Sequence, residues 1–133
     1  MSTTPIDVNL SRLGALLLAF VFVVAVCGGE RGSDALSSEA DEGRQIAIRQ
    51  CASCHGADGS GTVGPAFVGL YGSEVTLTDG STVVADDEYL RRSIVEPSAQ
   101  LVDGYTLKMP ETNLEDDEIE AVLAYIRELG SDP

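Results

Sequence analysis

The sequence predicts an all-α domain carrying a small β-hairpin insertion, and three observations lead there. Near the C-terminus, Ile119, Val122, Leu123, Ile126 and Leu129 recur at helical spacing. Two earlier stretches, one ending near Cys51 and one over Asp87–Val95, begin at Ser or Asp residues suited to capping a helix. Between them, Val75-Thr76-Leu77-Thr78 and Thr82-Val83-Val84 flank Asp79-Gly80, an alternating pattern around a hairpin turn signal.

Taken in chain order, the first segment is not part of that domain. Leu13–Cys27 is an uncharged apolar run preceded by Arg12. It has the length of a signal-peptide core and falls short of the ~20 residues a spanning helix needs. Val24-Ala25-Val26-Cys27-Gly28-Gly29 is similar to a lipoprotein cleavage box, with Val26 where a small residue is usual. Three outcomes stay open: acylation of Cys27, cleavage to a soluble form, or an uncleaved anchor. The expected organisation is residues 1–27 as signal, lipoprotein or anchor segment, 28–38 as a Gly/Ser-rich tether, and 39–133 as the folded domain.

Ser37 or Ser38 caps the first helix, with Glu39, Asp41 and Glu42 in its positive first turn. Asp86 caps the helix over Asp87–Val95, which Pro97 terminates. Asn113 is the expected cap of the last helix, and Gly130 its end. The acidic pairs Asp86-Asp87 and Asp116-Asp117 sit at helix starts, where capping explains them better than acid catalysis does. With three Phe, four Tyr and no Trp, about 100 residues supply only a marginal core of their own.

The pentapeptide Cys51-Ala52-Ser53-Cys54-His55 supplies the rest. Two cysteines three apart and a histidine directly after them form the signature of covalent haem attachment. The thiols bond the two vinyl groups of one porphyrin, and the imidazole then lies under the ring as an iron ligand. Rival readings fail on counting. A structural zinc site needs four ligands, and this chain offers Cys51, Cys54, the distant Cys27 and its one histidine, His55. A thioredoxin-like pair needs a βαβ context, which the flanking residues do not provide. The expected cofactor is one covalent haem c.

The second axial ligand follows by elimination. Methionine commonly completes the iron in such proteins, and the sequence holds Met1 and Met109. Met1 belongs to the leader, so Met109 is the expected ligand. Pro110 pushes it toward an extended conformation suited to a ligand loop. Lys108 as ligand, an open sixth position, and Met109 as core filler stay as alternatives.

Over Glu39–Gly130 the chain resembles a class I cytochrome c. The residues that carry the resemblance are Cys51, Cys54 and His55, Gly64-Pro65 downstream, Lys108-Met109-Pro110, Gly43 eight residues before the first cysteine, and Tyr125 in the last helix. The resemblance implies helices wrapped round one haem and a close crossing of the first and last helices at Gly43. It also implies a Pro65 carbonyl that accepts a hydrogen bond from the His55 ring. Ala47 stands where the family often has an aromatic, which leaves that crossing less filled. Tyr71, Tyr105 and Arg91 are candidate partners for the haem propionates.

A narrower resemblance runs through Gly64–Gly72, Asp79-Gly80 and Tyr89–Pro97. It points to the cytochrome domain of caa3-type oxidase subunit II and to the monohaem lipoprotein subunit of the alternative quinol-oxidising complex III. The former normally follows a two-helix anchor and a copper domain, so the latter fits the length better. The implied partners are a quinol-oxidising complex and a terminal oxidase. The implied location is extracytoplasmic, on the periplasmic side, with membrane attachment through an N-terminal lipid or anchor.

Charge restricts partners further. The chain has 22 Asp and Glu against 8 Lys and Arg, a formal net charge of −14, and Lys108 is its one lysine. This excludes nucleic acid and argues against anionic lipid or a lysine-ring docking surface. A high-salt solvated surface and an acidic patch aimed at a basic partner both fit. The expected function is single-electron transfer rather than enzymatic catalysis. A haem-based sensor or gas-binding module with an open sixth position is the alternative.

Overall fold

Ser37 sets where the first helix begins: its backbone is extended and its Oγ accepts the Ala40 N–H at 3.2 Å. Helix α1 then runs over Ser38–Gln50, with Glu39 and Asp41 against its positive end. The computed structural model describes residues 35–130. After α1 come a single-turn α2 (Ala52–His55), β1 (Glu74–Thr76), β2 (Thr82–Val84), α3 (Asp87–Val95) and α4 (Asp116–Leu129). The leader, and with it Cys27, lies outside the described residues, as do residues 131–133. Among the described residues no helix is long and apolar enough to cross a membrane.

The core forms where α1 crosses α4. A Cβ on Gly43 would lie 1.8 Å from the Ala121 carbonyl oxygen, so any other residue would force the two backbones apart. Val122 and Leu123 are 1% exposed, and burial at that level stabilises by roughly 1.5–3 kcal/mol per side chain. Ala47 is 4% exposed. The smaller side chain at that position is itself enclosed.

The hairpin pairs Glu74 with Val84, Val75 with Val83 and Thr76 with Thr82. It is shorter than the alternation suggested, because Leu77 and Thr78 leave the ladder. Leu77, 6% exposed, bridges instead to Val102, and the Thr78 N–H donates to the Leu101 carbonyl at 2.8 Å. Gly80 closes the turn at φ +83°, a left-handed conformation that favours glycine. The hairpin is thereby fastened to the segment leading to Met109.

Helix α3 starts as expected, with the Asp86 carboxylate accepting the Tyr89 N–H at 2.9 Å. It buries Tyr89, Leu90 and Ile94. Two arginines tie it to α4: Arg91 pairs with Asp116 and Glu120, and Arg127 with Asp87 at 2.7 Å. Helix α4 is capped by Glu115 and not by Asn113, and Glu118 reaches back to accept the Glu115 N–H at 3.0 Å. Leu114 explains the shift. It packs against the core, and with Ile119 it occupies the positions of a hydrophobic staple, which keeps the chain extended past Asn113. Gly130 ends the helix, in a right-handed conformation at φ −84°.

Candidate functional site

Helix α1 ends at Gln50, and the next turn presents Cys51, Cys54 and His55 on the wall of a cavity of about 610 Å³. Both cysteines are free thiols. Burial, and secondarily Cys54, pushes the Cys51 thiol above its ordinary range. An activated redox cysteine shows the opposite shift.

The loop after His55 is built to hold the imidazole. His55 Nδ1 lies 2.7 Å from the Pro65 carbonyl oxygen. A carbonyl can only accept, so Nδ1 carries the proton and Nε2 is left with the lone pair that a metal requires. The loop folds back through the Gly61 N–H to the His55 carbonyl at 2.8 Å and the Gly64 N–H to the Cys54 carbonyl at 2.9 Å. The Thr62 hydroxyl adds a bond to the same Cys54 carbonyl at 2.6 Å. A Cβ on Gly64 would come within 3.2 Å of that oxygen and of the His55 ring. Phe67, 7% exposed, stacks on the imidazole with ring centroids 4.4 Å apart and planes 17° from parallel. The sequence singled out Gly64-Pro65 but missed Phe67, whose position in the apolar run Pro65–Val68 was the available signal.

Met109 lines the same cavity, half-buried against the core. It sits in an irregular segment that starts at the Leu77–Val102 bridge and ends at the start of α4. Leu90 and Ile94 of α3 and Val122 and Ile126 of α4 supply apolar walls. Two thiols and an imidazole with a free nitrogen meet a thioether across one apolar hollow, and that donor set fits haem c.

The expected propionate partners separate. Tyr105 lines the cavity. Arg91 faces α4 and is taken up by Asp116 and Glu120. Tyr71 lies by the end of α4, where a Cβ on Gly130 would meet it at 3.0 Å. Lys108 lines the cavity too, and with Glu74 and Asp103 it makes up the charged residues of the lining.

Comparison with known proteins gives one family. The family model described as cytochrome c matches residues 40–130. No curated protein matches the chain significantly.

Proposed function

Since the chain belongs to the cytochrome c family, and so is a haem-based electron carrier with covalent haem c, we propose that it carries single electrons between a quinol-oxidising complex and a terminal oxidase. In this reading His55 and Met109 would hold the iron, Cys51 and Cys54 would be the attachment points, and Pro65 is the group that orients the histidine. The bound haem supplies the Fe(III)/Fe(II) couple. The chain's residues hold His55 through the Pro65 carbonyl and the Phe67 ring and bring Met109 to the same cavity. The apolar walls from α3 and α4 exclude water, and a thioether ligand raises the potential relative to harder ligands.

Domains of this family are usually extracytoplasmic, and the apolar run ending at Cys27 supports export with attachment through lipid or an anchor. The lysine-poor composition supports a partner surface other than one built to receive a lysine ring.

The observation that carries the ligand assignment is the placement of Met109 on the cavity that His55 faces with its free nitrogen. Met109→Ala tests it. The variant should lose the sulfur-to-iron absorption of the oxidised protein and bind carbon monoxide when reduced, while the wild type does not. Carbon monoxide binding by the wild type would favour the sensor reading, and an unchanged variant spectrum would refute the ligand.

A further inference from the structure

Charge is unevenly spread over the folded domain. Residues 59–73 hold no Asp, Glu, Lys, Arg or His, the longest such run among the described residues of a chain whose formal net charge is −14. Val63 of this run lines the pocket already described, but Val68 and Tyr71 do not. The backbone brings a third apolar side chain to them: the Gly72 N–H donates to the Ala85 carbonyl and the Ala85 N–H to the Ser73 carbonyl, both at 2.9 Å, which sets Val84 beside the run. Val68 and Val84 are 50% and 53% exposed, and Tyr71 36%. Between them, a Cβ on Gly69 or Gly72 would meet nothing within 4 Å. The result is an open, uncharged and partly apolar patch, bordered on the Val84 side by Glu74 and Asp86.

This patch stands where the chain enters the domain. The Gly69 N–H donates to the Leu129 carbonyl at 3.3 Å, a Cβ on Gly130 would meet Tyr71 at 3.0 Å, and the Ser37 N–H donates to the Glu128 carboxylate at 3.0 Å. Arg127, on the same end of α4, pairs with Asp87. Residues 28–35 are all that separates Cys27 from Leu36, which packs on the core. Fully extended they reach about 30 Å, no more than the width of a domain of about 100 residues with a radius of gyration of about 13 Å. With the apolar run before them held in a bilayer, the end of the domain that carries Ser37 stays next to the lipid. An acidic surface is repelled there by anionic headgroups, and the uncharged patch is the side that meets least repulsion.

We infer that this patch rests on the membrane, with Val68, Tyr71 and Val84 entering the headgroup zone. The inference deepens the membrane attachment proposed above and rests on it. Tyrosine suits such a place, because its ring is apolar and its hydroxyl stays wet. Phe67 precedes Val68 and stacks on His55, so the histidine wall of the pocket lies on the membrane side. The Met109 wall, with exposed Tyr105 and Leu107, then turns to the aqueous side.

Spin labels at Val68→Cys, Tyr71→Cys and Val84→Cys test this in the full haem-loaded chain reconstituted into phosphatidylcholine vesicles. Val95→Cys, at the far end of α3 and 55% exposed, is the control, and the chain without an added cysteine gives the background. Lipid concentrates oxygen and excludes a nickel chelate, so the ratio of oxygen to chelate access should be severalfold higher at the three patch labels than at Val95→Cys. Equal ratios in a chain that floats with the vesicles would overturn this inference and leave the attachment standing. Loss of access to both reagents at the patch marks a protein occupant, and would overturn it too. A chain that does not float with the vesicles would overturn the attachment and this inference together.

Discussion

Hydrogen bonds of 2.6 to 2.9 Å fasten residues 54–65 around His55, whereas residues 104–114, which carry Met109, form none with any described residue. The histidine wall is also stacked by Phe67 and laced with close backbone contacts at Gly64. The methionine wall has Pro110 for stiffness and two half-buried apolar contacts, Met109 and Leu114, against the core. One ligand is therefore held by the polypeptide whatever the iron does. The other is held by the ends of its segment, at the Leu77–Val102 bridge and at α4, and under the proposed ligation its remaining restraint is the bond to iron.

This contrast can be broken from the histidine side. Phe67→Ala removes a buried ring in stacking contact with the imidazole and should cost about 3–5 kcal/mol in denaturant unfolding, with broadened histidine signals in the reduced protein. A loss below about 1 kcal/mol would mean that the hydrogen-bonded loop alone fixes His55.

Alkaline pH acts on the other helices. Burial, the largest cause in each case, raises Tyr89 and Tyr125 above the ordinary value of 10.0. The folded state therefore holds these protons more tightly than the unfolded chain. Their contribution is fully present below about pH 10 and is lost as pH rises through the higher folded values, at up to about 1.4 kcal/mol per pH unit per tyrosine. Thermal melts from pH 9 to 11 should show the fall, and Tyr89→Phe should lessen it. Smaller again is Thr62→Val, which removes an exposed hydroxyl bond from a carbonyl that keeps the Gly64 N–H. It should cost about 0.5 kcal/mol and leave the spectrum unchanged.

Much of this was legible in the sequence wherever a local or backbone constraint dictated it. Ser37 and Asp86 were readable because a cap bonds within its own first turn, whereas Gly43 was readable through the family resemblance, and its approach to Ala121 gives that position its physical reason. Gly64-Pro65 was readable through the same resemblance, and the Pro65 carbonyl does meet the His55 ring. What failed depended on distant partners. Arg91 reads as a free cation until α3 lies on α4 and offers it Glu120. Asn113 reads as a cap until Leu114 is drawn into the core. Leu77 and Thr78 read as strand until residues 101–102 come alongside.

The difference between the two walls is tested most directly by hydrogen exchange on the haem-loaded protein, comparing wild type with Met109→Ala. With the iron–sulfur bond gone, amides of residues 104–114 should exchange markedly faster, while those of residues 54–67 keep their protection. Equal loss of protection in both segments, or no change in residues 104–114, would contradict the account.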